Sequence, residues 1–155
     1  MTKKILVVDD ELDFIELLRY RLPAPEYIIL FATNGTDALN QVWHHSPDVI
    51  LMDLMLPELD GLTLCEILRR QPATRQIPII MVSALSNDVT RYSAEVAGAR
   101  EFLAKPLDFD RLKALLAVLL VTPGTDSEAY EPPSRTDNQH SRNANAVAHL
   151  ARECP

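Results

Sequence analysis

The sequence predicts an α/β fold in which a doubly wound, five-stranded parallel sheet is covered by helices on both faces. Five short apolar runs alternate with five segments whose apolar residues recur at helical spacing, which is the pattern of repeated βα units. The third run, Val49–Met52, is apolar at every position, as expected for a strand buried on both faces. Right-handed crossover connections then place helices on both sides of the sheet.

The predicted strands cover residues 5–8, 28–32, 49–52, 79–82 and 101–104, and candidate functional residues follow four of them. Asp9 and Asp10 follow the first strand, Asp53 the third, Ser83 the fourth and Lys105 the fifth. The carboxyl ends of parallel strands meet at one edge of a sheet, where such folds bind ligands. We therefore expect these five side chains to share one site.

The helices are predicted from apolar residues three and four positions apart. The first four are marked by Phe14, Leu17, Leu18 and Leu22; by Leu39, Val42 and Trp43; by Leu62, Cys65 and Leu68; and by residues 87 to 97. The fifth helix shows Leu112, Leu115, Leu116 and Leu119 and is predicted to begin at an N-cap, Asp108. Prolines or a glycine close the others, with Gly98 as the C-terminal turn of the fourth helix.

Composition changes after residue 121. Residues 1–121 form the predicted domain, while residues 122–155 are rich in proline, serine, asparagine and charge and lack apolar periodicity, which predicts a disordered tail. A short patch at 145–152 has helical character but is too short to be a stable helix alone. The two cysteines, Cys65 and Cys154, have no disulfide or metal-ligand spacing, and Cys65 is expected to be a buried apolar residue.

The overall composition narrows the range of possible functions. The chain has 155 residues, a formal net charge of -7 and 47% hydrophobic residues, which is typical of one globular domain with a single core. The acidic balance argues against direct nucleic-acid binding. Nothing approaches the roughly 18 consecutive apolar residues of a membrane span, and no signal-peptide pattern precedes the first strand. We therefore expect a cytoplasmic protein without a membrane contact.

Each candidate residue has an ordinary structural alternative. Asp53 alone could be a helix N-cap, but Pro57 and Gly61 intervene before the next helix. Asp9 and Asp10 could simply favour the positive end of the first helix. Two adjacent acids that face a third at Asp53 are unfavourable without a cation, however, and oxygen ligands of this kind suit Mg²⁺.

The remaining candidates depend on these carboxylates. Ser83 alone could cap a helix, Lys105 alone could be a surface lysine, and Phe102 is most often a core residue on such a strand. Beside three acids, Lys105 becomes a charge partner that could also reach a phosphoryl oxygen, to which Ser83 could donate. The His44–His45 pair at a helix end is interpreted as solvated rather than as a metal site.

Together these motifs resemble the receiver domain of bacterial two-component response regulators. The matching segments are Val8-Asp9-Asp10-Glu11, the loop Asp53…Pro57…Asp60-Gly61, Ser83-Ala84, Gly98-Ala99 and Phe102-Leu-Ala-Lys105-Pro106. The resemblance covers residues 3 to about 121. It implies a flavodoxin-like, CheY-like (βα)₅ fold with strand order 2-1-3-4-5, an order carried over from the family. Arg100 departs from the family pattern, which often has a small acid or amide there.

The resemblance also implies a role for each site residue. Asp53 would accept a phosphoryl group, and Mg²⁺ would be bound by Asp9, Asp10, Asp53 and the backbone carbonyl of Met55. Ser83, Ala84 and Lys105 would contact the phosphoryl group, and Phe102 would turn inward as Ser83 moves. The Lys105–Pro106 peptide bond would be cis.

The implied function is a phosphorylation-dependent switch that receives its phosphoryl group from a sensor histidine kinase or phosphotransfer protein. It would change the surface formed by the fourth helix, fifth strand and fifth helix, and so control an unknown output protein or a homodimer. Two alternatives stay open. One is an aspartate-based phosphohydrolase or mutase, although Met55 stands where such enzymes need a second aspartate; the other is a scaffold without phosphorylation.

Overall fold

The fold described here is that of a computed structural model of the chain, which describes residues 2–121. The predicted tail, 122–155, and Cys154 with it, lie outside the described residues. Within residues 2–121, no helix is both long enough and apolar enough to span a bilayer.

The described chain alternates strictly between strands and helices. The strands are β1 Lys3–Val8, β2 Tyr27–Ala32, β3 Val49–Met52, β4 Ile79–Ser83 and β5 Glu101–Ala104. The helices are α1 Leu12–Arg21, α2 Gly35–His45, α3 Gly61–Arg70, α4 Asp88–Ala97 and α5 Phe109–Leu119. All strand pairs are parallel and the sheet order is β2-β1-β3-β4-β5, so the predicted fold class and strand order are confirmed.

Two apolar clusters cover the two faces of the sheet. On one face, side chains of α2, α3 and α4, such as Val42, Leu68 and Ala94, pack on alternate residues of the central strands. On the other, α1 and α5 contribute residues such as Leu18 and Leu112. Strands β3 and β4 are buried at every position, which accounts for their unbroken apolar sequences.

Two residues that the sequence analysis used to mark the apolar faces of helices are exposed. Leu17 in α1 is 45% exposed and Trp43 in α2 is 54% exposed. The buried face of α1 is formed instead by Ile15 and Leu18. Helical spacing alone could not distinguish the two sides of α1, because apolar residues stand on both. The predicted burial of Cys65 is confirmed.

Arg69, at the end of α3, joins three segments at the amino-terminal edge of the sheet. Its Nε donates to the carbonyl of Gly98, at 2.8 Å, and its guanidinium also donates to the carbonyls of Arg75 and Ile77. Gly98 has φ +108°, and a Cβ there would lie 2.6 Å from Arg69 Cγ. Glycine at this position therefore ends α4 and also leaves room for the arginine.

A matched pair of helix caps allows a test of charge at the start of α3. Asp60 and Asn87 each accept a hydrogen bond at 2.9 Å from the backbone amide of a threonine, Thr63 and Thr90 respectively. The Thr63 amide lowers the pKa of the Asp60 carboxyl below its ordinary 3.8. The charged cap therefore stabilises the fold above pH 3.8, and this contribution is lost as the pH falls through the lower pKa of the folded state.

We expect Asp60→Ala to lower the free energy of unfolding by about 1 kcal/mol at neutral pH. Asn87→Ala should cost a similar amount, because the neutral cap makes the same backbone bond. Urea unfolding between pH 7 and pH 2.5 checks this: the deficit of Asp60→Ala should shrink at low pH while that of Asn87→Ala stays constant. Equal pH profiles for the two variants would contradict the assignment.

Candidate functional site

Three carboxylates gather at the carboxyl edge of the sheet. Oxygen atoms of Asp9, Asp10 and Asp53 all lie within 4.8 Å of one another. Asp9 and Asp53 are buried, whereas Asp10 is exposed. Asp9 follows β1 and Asp53 follows β3, and these two strands are neighbours in the sheet. Adjacent parallel strands thus bring together residues that are 44 positions apart.

Lys105, which follows β5, reaches across to the same cluster. Its Nζ donates to Asp9 Oδ2 at 2.7 Å and to Asp53 Oδ2 at 3.0 Å. Its side chain is only 14% exposed, so the ion pairs are poorly screened by solvent. The peptide bond between Lys105 and Pro106 is cis.

Two further residues hold Lys105, and the sequence analysis gave neither of them a role in the site. Glu11 Oε1 lies 3.5 Å from Nζ, and the Phe14 ring centroid lies 4.4 Å from it. Phe14 was assigned only to the apolar face of α1, where it also packs. Its position four residues after Asp10, in the first turn of α1, was the available signal. Cation–π contacts of this kind fix the direction from which an ammonium approaches.

The charges in the cluster do not balance. Burial raises the pKa of the Asp9 carboxyl above its ordinary 3.8, although hydrogen bonds from Lys105 and the Glu11 amide act in the opposite direction. Burial is also the largest single effect on Lys105 and lowers its pKa, but the hydrogen bonds to Asp9 and Asp53 together raise that pKa above 10.5. The lysine has three acid partners, Asp9, Asp53 and the more distant Glu11, whereas Asp9 faces one cation and a second acid. A single ammonium therefore does not neutralise the site.

This arrangement fits a divalent cation. Every donor in the cluster is a carboxylate oxygen, the ligand type that Mg²⁺ prefers, and the exposed Asp10 leaves one side open to water. Met55 lies against the same group, since its backbone amide donates to Asp53 Oδ1 at 3.0 Å. A second positive charge here would relieve the repulsion between the buried acids.

Ser83 ends β4, Ala84 follows it, and Phe102 lies within the neighbouring strand β5. Ser83 is buried, and its Oγ accepts a hydrogen bond from the Leu85 amide at 3.2 Å. Ala84 is exposed in the loop that follows. Phe102 is 8% exposed and packs in the core, so its ring lies in a buried position in this structure. The His44–His45 pair lies at the exposed end of α2, away from this edge.

Gly61 packs closely against the backbone that follows β3. A Cβ on this residue would lie 2.3 Å from the backbone oxygen of Asp53 and 2.9 Å from Cα of Leu54. Its own amide donates to the Leu54 carbonyl at 2.9 Å. The sequence analysis treated Gly61 as a turn residue, but glycine is required here because two backbone segments approach so closely.

A 2-1-3-4-5 sheet with an acidic cluster and one lysine at its carboxyl edge defines an α/β domain of the flavodoxin-like, CheY-like class. Residues 5–117 match the family model described as "Response regulator receiver domain". The chain therefore belongs to the response regulator receiver family. Receiver domains are signalling domains of two-component systems rather than enzymes that turn over an external substrate.

Curated relatives agree with the family. The chain is 38% identical over 125 residues to "Response regulator PleD" of Caulobacter vibrioides, covering 78% of this chain and 28% of that protein. It is 35% identical over 138 residues to "Alkaline phosphatase synthesis transcriptional regulatory protein PhoP" of Bacillus subtilis, covering 89% of this chain and 55% of PhoP. The chain thus spans about half or less of the length of these relatives.

A solved structure has a similar fold. The receiver domain of sensor histidine kinase PA1611 from Pseudomonas aeruginosa PAO1 has a TM-score of 0.71 and 28% identity, with 79% of this chain and 100% of that chain covered. That domain holds a magnesium ion in its active site cleft. The present chain has a cluster of three carboxylates at the carboxyl edge of its sheet.

Proposed function

We propose that the chain is a phosphorylation-dependent switch in which Asp53 accepts a phosphoryl group in the presence of Mg²⁺. The observation that carries this proposal is the contact of Lys105 Nζ with Asp53, at 3.0 Å, inside a cluster of three carboxylates. A buried carboxylate beside a fixed cation is a nucleophile that can receive a phosphoryl group with little rearrangement.

Each residue of the site has its own role in the phosphoryl transfer. A carboxylate oxygen of Asp53 forms a bond to phosphorus as the bond between phosphorus and the donor's leaving group breaks, which produces an aspartyl phosphate. Lys105 neutralises the added charge, and Ser83 donates its hydroxyl to a phosphoryl oxygen. Asp9, Asp10, Asp53 and the Met55 carbonyl would hold Mg²⁺, which when bound supplies further positive charge to the transferring group.

The added charge, roughly -1.5 to -2 by analogy with other phospho-residues, alters the local balance of forces. In our proposal, Ser83 shifts toward the phosphoryl group and Phe102 is held inward, which changes the surface of α4, β5 and α5. That surface would act on an output protein or on a second copy of the chain. The phosphoryl donor would be a sensor histidine kinase or a phosphotransfer protein, and the expected compartment is the cytoplasm.

We expect acetyl phosphate with Mg²⁺ to place one phosphoryl group on the protein, and Asp53→Asn to abolish this labelling. Intact-mass spectrometry after brief incubation measures both. Asp37→Asn, an exposed acid in α2, is the matched control and should label like the unsubstituted chain. Labelling that survives Asp53→Asn would show that another group is the acceptor.

The rival enzyme function predicts a different time course. A phosphohydrolase would release phosphate steadily from an added phosphomonoester, whereas a switch takes up label once and stops. The side chain at position 55 is methionine, which cannot act as an acid or base, and this supports the switch.

A further inference from the structure

Each of the chain's four phenylalanine rings lies beneath a cation. Arg19 covers Phe31, Arg21 covers Phe109, Arg91 covers Phe102 and Lys105 covers Phe14, at 4.4–5.0 Å from the ring centroids. Of these cations, Arg91 is the one that donates a hydrogen bond to the loop after β4. This hydrogen bond distinguishes Arg91 from the other three cations.

Arg91 connects two parts of the proposed switch. Its guanidinium lies 4.8 Å from the centroid of the Phe102 ring, and its Nε donates to the carbonyl of Ser86 at 3.1 Å. Ser86 belongs to the exposed β4–α4 loop, residues 84–87, which begins directly after Ser83. The Leu85 amide in the same loop donates to Ser83 Oγ.

We propose that Arg91 is a positioning residue that couples the β4–α4 loop to the buried position of Phe102. The regulatory role of this coupling rests on the proposed function, whereas the contacts that form it do not. Movement of Ser83 changes the loop, the loop carries the Ser86 carbonyl, and that carbonyl fixes the guanidinium that covers the ring.

Arginine suits this role for a physical reason. Its planar guanidinium stacks on an aromatic face while the Nε–H, in the same plane, remains available for a carbonyl at the side. Lysine carries its charge on a single nitrogen and cannot hold both contacts in one fixed geometry. Phe102 is nearly buried, so the cation–π contact is less screened here than at an open surface.

The coupling can be measured in the protein without Mg²⁺ or a phosphoryl donor. We expect Arg91→Ala to increase the hydrogen-exchange rate of the Leu85 amide about fivefold, as the loop loses its anchor. In a Phe102→Leu background the same substitution should change that rate less than twofold, because the anchor depends on the ring. Phe102→Met replaces Phe102→Leu if the latter does not fold.

Arg21→Ala is the matched control, because Arg21 covers Phe109 at 4.4 Å but lies in α1, away from the loop. It should leave the exchange of Leu85 unchanged. Two results would overturn the proposal: an unchanged rate in Arg91→Ala, or an equal effect of Arg91→Ala with and without the Phe102 ring. The second result would mean that Arg91 only holds the loop.

A second measurement connects Arg91 to the switch. Beryllofluoride with Mg²⁺ imitates the phosphoryl group, and we expect Arg91→Ala to raise its dissociation constant about threefold, because the competent arrangement is less populated. An unchanged constant would overturn the regulatory role of Arg91. If the unsubstituted protein does not bind beryllofluoride, the proposed function fails, and the exchange experiment still decides whether Arg91 couples the loop to Phe102.

Discussion

Replacing Lys105 by methionine is expected to lower the free energy of unfolding by about 3 kcal/mol in the absence of Mg²⁺, because two buried carboxylates lose their common cation. Lys105 contacts both Asp9 and Asp53, and methionine keeps most of the apolar stem without the charge. Mg²⁺ should largely restore the lost stability, because it supplies the missing positive charge. In the variant it no longer competes with the ammonium for the same oxygens.

Urea unfolding with and without Mg²⁺ measures this effect, and Lys113→Met, an exposed lysine of α5, is the control. The pKa of Lys105 is raised in the folded protein, so its contribution is full below pH 10.5 and is lost as the pH rises through the raised value. The difference between the two proteins should therefore shrink at strongly alkaline pH. A Lys105→Met protein as stable as the control without Mg²⁺ would refute the charge argument.

Gly61→Ala is expected to destabilise the fold by about 3 kcal/mol and to weaken Mg²⁺ binding as well, since a methyl group cannot fit against a main-chain oxygen without moving it. The added carbon would lie 2.3 Å from the carbonyl oxygen of Asp53, whose side chain is the proposed acceptor. Backbone atoms on both sides leave no flexible side chain to yield. The loop that carries Asp53 must therefore shift.

Thermal unfolding and Mg²⁺ titration, in parallel, check this prediction. Gly35→Ala is an informative control, because the atoms nearest to a Cβ there belong to the side chain of Leu59, the closest at 2.7 Å. That variant should lose stability while retaining more of its Mg²⁺ affinity. If Gly61→Ala bound Mg²⁺ as well as the unsubstituted protein, Gly61 would have no role in placing Asp53.

The sequence was sufficient for the strand count, the parallel arrangement and the polar strand ends. Strands buried on both faces have distinctive apolar sequences, as at Val49–Met52, and each strand must end at the same edge as its neighbours. The strand order came from the family resemblance rather than from periodicity. The meeting of Asp9, Asp53 and Lys105 at one place follows from topology once that order is known.

Other features depend on distances that no sequence pattern contains. Phe14 has the spacing of a core residue, and only the reach of the Lys105 side chain from the end of β5 places its Nζ over this ring. Glu11 is similarly brought to Lys105 by the turn between β1 and α1. Leu17 and Trp43 are apolar but exposed, and their spacing alone could not show it. The contact of Arg91 with the Phe102 ring also could not be predicted from spacing, because Arg91 lies in α4 beside exposed apolar residues.

The three carbonyl contacts of Arg69 have a mechanical consequence for α4. They hold the carboxyl end of that helix, at Gly98, to the end of α3 and to the segment leading into β4. The opposite end of α4 follows four exposed loop residues, 84–87. The carboxyl end of α4 is thus held by these carbonyl contacts, whereas its amino end follows the exposed loop, so we expect α4 to pivot about Gly98 when that loop moves rather than to slide along the sheet.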